Sequence, residues 1–296
     1  MSQVNLADFA YTSAVDEYTD YVVYKKLSEL KFEKRHNFSD TLKRLSSMEY
    51  GHYEFWRRYC PERTPSVSNL KVYFIILIRL FLGVTFAVKF LERNEVATIK
   101  KYKHVAALIP QEDTAQFRRK VEDEVEHENK FAEQFDEPHI KYISFIVLGL
   151  ADALVEIAGI HAGSLGIYNR TELAGLAGII AGAAASIAMA SAAYAQAKTG
   201  FKGSATLSAV YTGISYFFTA VILATPYFVT NVMTIALSSS LILAVILIAF
   251  TSFYGSVISG SQFKKDFLEI TSIMFGATVA LFLLGLLIRT LVGTTF

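Results

Sequence analysis

Apolar and polar positions along this chain follow two regimes. From Leu6 to Asp136 they recur with a helical period in four segments, Leu6 to His36, Ser39 to Tyr59, Asn69 to His104 and Gln111 to Asp136. In this half prolines are confined to Pro61, Pro65, Pro110 and Pro138, between or beyond those segments. Ser39 is placed to cap the second helix, and Pro61 and Pro65 break the chain before a longer crossover to the third. After Lys141 the period gives way to five continuous apolar stretches, Tyr142 to Tyr168, Leu173 to Gln196, Ala205 to Phe228, Val232 to Val257 and Phe267 to Leu291. Each exceeds the roughly 20 residues that cross a bilayer core of about 30 Å. Backbone groups in hydrocarbon must pair within their own segment, so five transmembrane helices are predicted. The expected fold is therefore all-α, a ferritin-like four-helix bundle at residues 1–138 followed by a membrane domain of five spans at residues 139–296.

Composition sharpens that division. Residues 1–141 hold 22 of the 28 basic and 22 of the 27 acidic residues but only 2 of the 17 glycines. The single Cys60 excludes a disulfide framework and a four-cysteine metal site. A net charge of +1 with both signs intermixed leaves no basic face for nucleic acid. The first 40 residues are polar and charged, so no signal peptide is expected there. Lys198 and Lys202 lie between the second and third spans, and Lys264 and Lys265 between the fourth and fifth. The positive-inside rule then puts the N-terminal half in the cytoplasm and the C-terminus outside, with Arg170 and Arg289 dissenting.

The polar half carries a metal-ligand pattern. A bundle holds two metal ions when a lone Glu on each of two helices joins a Glu-x-x-His on each of the others, because i and i+3 share one face. Glu49 with His52 and Glu124 with His127 supply the two motifs. Glu49 follows Glu17 by 32 residues and Glu124 follows Glu92 by the same 32, as two helix hairpins related by an approximate twofold would require. A third motif, Glu33 with His36, sits beside Lys34 and Arg35 and reads as a solvated helix end. In the acidic run Glu122 to Glu128, Asp123 and Glu126 fall off the ligand face. Tyr24 and Tyr102, each seven residues after a glutamate (Glu17 and Glu95), are either hydrogen-bond donors behind the ligands or core aromatics. Val72 to Leu91 is apolar enough for a sixth span, interrupted only by Arg79 and Lys89. A span there would disperse the glutamates at its end, so a bundle helix with an extended apolar face, buried in a dimer or against the membrane, is expected.

Ionisable residues inside the spans are few and costly. Asp152 and Glu156 share a helix face at i and i+4, and with His161 further along they offer oxygen and imidazole donors to a divalent transition metal. A structural pair of carboxylates bonded to neighbouring helices is the alternative. Small residues crowd the first two spans, so these helices are expected at the packed centre of a bundle or of a dimer. Met189, in the second span, is either packing or a soft ligand that favours Fe(II) over Mg and Ca.

The run GLADALVEIAGIHAG, Gly149 to Gly163, followed by GAAASIAMASAAYAQ, Gly182 to Gln196, resembles the first two helices of the vacuolar iron transporters. That family consists of five-helix dimers that carry Fe(II), and in relatives Mn(II), out of the cytoplasm. The resemblance implies a path at the dimer interface lined by Asp152 and Met189, with Tyr194 also matching. Two departures are visible: the loop Ala197 to Ser204 is too short for the metal-capturing insert of the plant members, and Ala193 stands where a glutamate is usual. Glu156 is then the second carboxylate of the path.

The glutamates and histidines of the first half resemble rubrerythrin, a ferritin-like di-iron family. In that family the third helix carries a second glutamate three residues after the first, matched here by Glu95 after Glu92. The implied metal ligands are Glu17, Glu49, His52, Glu92, Glu95, Glu124 and His127, holding two Fe ions, or Mn or Zn. The four-cysteine iron domain usual in rubrerythrins has no counterpart. A ferritin-like module fused to such a membrane domain resembles the membrane-bound ferritin, or erythrin-type, branch of the transporter family. This implies a homodimer that exports cytoplasmic Fe(II) or Mn(II) across a prokaryotic cell membrane, with H+ counter-transport through carboxylates that are protonated when empty. The competing expectation is a membrane-anchored di-iron ferroxidase or peroxidase.

Overall fold

The computed structural model describes residues 5–31, 38–93, 102, 105–130, 137–168 and 170–292, the side chains of 123–130, 138–139, 166 and 292 excepted. Among the described residues every regular element is a helix, as the all-α expectation requires. The chain divides into two compact units, Met1–Glu137 and Pro138–Phe296.

In the first unit, α1 (Leu6–Glu29) starts where the Asn5 side chain accepts the Ala7 N–H at 3.0 Å, which satisfies one of the open donors of the first turn. It packs along α2 (Phe38–Arg57). Ser39, expected as the cap of α2, lies inside its first turn and donates instead to the Ser28 carbonyl at 2.8 Å. The hydroxyl thus ties the start of α2 to the end of α1.

The segment expected as one helix from Asn69 is broken. It forms α3 (Asn69–Leu82) and α4 (Val84–Glu92), separated by Gly83 at φ 95°. A side chain would be strained at that φ, so glycine is what allows the break. The released N–H groups of Val84 and Thr85 donate to the two carboxylate oxygens of Glu137 at 3.1 and 2.8 Å. A residue distant in sequence therefore caps α4 with a negative charge at its N-terminus. The last long helix of the unit is α5 (Thr114–Lys130), preceded by short turns at Ala106–Leu108 and Gln111–Asp113.

Two apolar clusters fill this unit. One gathers Val23, Leu27, Leu42, Leu45, Val72 and Val88, and the other Ala10, Ala14, Trp56, Tyr102 and Phe117. Along α1 and α2, Glu17, Glu49 and His52 fall between the two clusters. The polar groups thus form a waist between two packed ends.

The second unit consists of α6 (Ile143–Ile167), α7 (Thr171–Lys198), α8 (Ala205–Ala224), α9 (Met233–Ser259) and α10 (Phe263–Val292). All five lie in stretches long and apolar enough to cross a membrane. Helix α6 touches each of the other four and is the centre of the unit. Glycine at 163 and 285 lets α6 and α10 meet backbone to backbone, since a Cβ on Gly285 would strike the Gly163 main chain. Buried hydroxyls return to backbone carbonyls: Thr212 donates to Phe145 at 3.0 Å, and Ser240 to Leu223 at 2.8 Å.

Candidate metal centre

Helices α1 and α2 run antiparallel, so that the start of one packs with the end of the other in each apolar cluster. That register sets Glu17 on α1 opposite Glu49 and His52, which share a face of α2 at i and i+3. All three side chains are buried. Each offers one ligand atom, and those atoms lie within 4.8 Å of one another. His52 Nδ1 stands 3.5 Å from Glu49 Oε2 and 3.7 Å from Glu17 Oε2. Among the described residues this is the group of three that could hold a metal ion.

Lys120 on α5 reaches the same place. Its Nζ lies 2.7 Å from Glu17 Oε1, and its side chain is 3% exposed. The Tyr102 hydroxyl donates to the same oxygen at 3.3 Å. Burial by itself would push the Glu17 carboxyl up, but the Lys120 ammonium and then His52 override it and hold the group well below the usual carboxylate range. Two carboxylates and an imidazole are donors that suit a divalent first-row ion. The donors brought together here fit one cation.

The remaining expected ligands divide as follows. Glu92 is buried at the end of α4. Glu95 lies outside the described residues, as do Glu33 and His36. Glu124 and His127 belong to α5, and their side chains lie outside the described ones. Tyr102 is a donor to Glu17, and Tyr24 is buried beside Leu27 and Leu42. Lys120 was not foreseen. Its signal was its place four residues before Glu124 and seven before His127, one face of the same helix.

In the second unit, Asp152 and Glu156 lie half-buried on the central helix α6. Glu156 accepts a hydrogen bond from the Tyr216 hydroxyl of α8. Tyr216 is fully buried and carries no charge that a sequence reading would flag. Met189 packs, partly buried, against the cluster that contains Ile157 and Tyr216. His161 does not join the carboxylates. Its Nδ1 stands 3.5 Å from the Ser240 hydroxyl, its ring lies 4.3 Å from that of Tyr227, and its Nε2 faces Gly178. Five residues after Glu156, it projects from another side of α6.

Comparison of the chain with family models, with curated proteins and with solved structures finds no match.

Proposed function

We propose that this chain is a membrane transporter that exports Fe(II), or Mn(II), from the cytoplasm, and that its first unit binds the ion and senses or delivers it. The observation that carries the reading is the buried convergence of Glu17, Glu49 and His52 in a chain that also has carboxylates on the central helix of five apolar spans. Hard oxygen donors with one imidazole favour such ions over alkali metals. In this reading the chain belongs to the membrane-bound ferritin branch of the vacuolar iron transporters and works as a homodimer.

An ion held at Glu17 competes with the Lys120 ammonium, so capture and release exchange one cation for another on the same carboxylate. In the membrane, Asp152 and Glu156 take the ion and Tyr216 orients Glu156. Met189 adds a thioether to the path. Proton counter-transport through these carboxylates supplies the driving force.

The test is ion flux in proteoliposomes of the full chain, comparing Fe(II), Mn(II), Zn(II) and Co(II) with and without a pH gradient. Asp152→Asn is expected to abolish flux and to leave metal binding by the first unit intact. Normal flux in that variant overturns the path. A second reading, an anchored ferroxidase, draws on Tyr102 beside the buried Glu17. Catalytic aerobic conversion of Fe(II) to Fe(III) without flux would favour it.

A further inference from the structure

Helix α3 is two-faced, and its outward face is apolar. Val72, Ile75 and Arg79 are buried, whereas Leu70, Tyr73, Phe74, Leu77, Leu80 and Phe81 are exposed, Leu70 by 80% and Phe81 by 79%. These positions recur at helical spacing and form one stripe. A contiguous apolar patch of this kind marks an interaction surface. With 14 residues the helix is about 21 Å long, too short to cross a core of about 30 Å.

Three observations select the occupant. The helix contains no acidic residue, and Lys71 is exposed on it. Lys26 of α1 lies over the Tyr73 ring, 5.3 Å from its centroid, which adds a second cation at this end. Basic residues flanking an apolar stripe complement anionic lipid headgroups. Finally, Glu137 holds the N-terminus of α4 immediately beyond α3, and the first span begins at Ile143, six residues later. That contour is at most about 20 Å, so the chain itself keeps a bilayer within reach of the end of α3.

We infer that α3 lies in the headgroup and acyl boundary of the bilayer, with Phe74, Leu77 and Phe81 among the lipids, as an interfacial anchor for the first unit. The inference rests on the five spans and not on the metal reading. The test uses the full chain with Cys60→Ala and single cysteines replacing Phe74, Leu77, Phe81 or the exposed Glu54, each spin-labelled in vesicles of phosphatidylcholine and phosphatidylglycerol. Labels at the three α3 positions are expected to be relaxed several-fold more by oxygen than by chromium oxalate, and the label at position 54 the reverse. Preference for chromium oxalate at all three α3 positions overturns the inference. So does dipolar broadening among them that disappears on dilution with unlabelled chain, which places a second copy on the face.

Discussion

Two carboxylates in this chain, one buried and one half-buried, are satisfied in opposite ways. Glu17 in the first unit meets a full positive charge, the Lys120 ammonium, together with the Tyr102 hydroxyl. Glu156 in the membrane unit is met by the neutral hydroxyl of Tyr216, and the basic residues of that half, from Arg170 to Arg289, lie at the ends of the spans. A buried ion pair recovers its desolvation cost only when both charges are present. A neutral donor brings a hydrogen bond to its carboxylate but no opposite charge. In the proposed reading the first arrangement holds a site in shape, and the second keeps one available to a cation.

Removing the ammonium breaks the comparison most strongly. Lys120→Met leaves Glu17 buried without its cation and is expected to destabilise the metal-free first unit by about 3–5 kcal/mol. The single Trp56, buried in the cluster with Tyr102 and Phe117, reports this in the full chain by its fluorescence on heating. Added Mn(II) should restore more stability to the variant than to the parent, because the ion replaces the lost charge. The pH dependence has a definite sign. Glu17 is held below its unfolded value of about 4.3, so its contribution is present above that pH and is lost as pH falls further. Lys120→Met should flatten this acid limb, and an unchanged acid limb would mean that the pair does not hold Glu17 ionised.

What was legible in the sequence follows from range of interaction. The five spans and the helices of the first unit are written in runs and periods of a dozen residues or more, and long helices stand at those places. The convergence of Glu17 with Glu49 and His52 was legible because residues at i and i+3 share a helix face and the 32-residue offset sets Glu17 opposite them. Lys120 was not, since a lysine on a polar helix looks solvated until its partner on α1 is known. The break at Gly83 was hidden for a similar reason: an apolar run continues through it, and the capping Glu137 lies far along the chain, 53 residues beyond Val84. Tyr216 and the diversion of His161 toward Tyr227 depend on how α6, α8 and α9 pack, which no local pattern records.

A smaller effect sharpens the membrane side. Tyr216→Phe keeps the ring and removes the donor to Glu156. If Glu156 is a ligand of the proposed path, the partner behind it is worth about 10-fold or more in activity, so flux in proteoliposomes should fall by about that factor. Metal binding at Glu17 should not change. Flux equal to that of the parent would show that Glu156 needs no orientation and would remove the contrast between the two carboxylates.

The smallest effect supplies the control, because the first unit contains a hydroxyl and carboxylate pair of its own. Tyr59, just beyond the end of α2, donates to Asp113, which Arg58 also approaches at 3.4 Å. Here the Arg58 guanidinium shares the carboxylate, whose side chain is 21% exposed, so the phenol is not its sole partner. Tyr59→Phe is expected to cost about 1 kcal/mol in unfolding, and to leave flux untouched. Burial, followed by the bond to Asp113, raises the phenol above its ordinary value of about 10, so the pair's contribution is present below that pH and is lost as pH rises through the higher folded value. Alkaline unfolding followed by Trp56 fluorescence checks the sign. If Tyr59→Phe cost as much as Lys120→Met, a hydroxyl would be as strong a partner as an ammonium in this fold, and the distinction between a held site and an open one would fail.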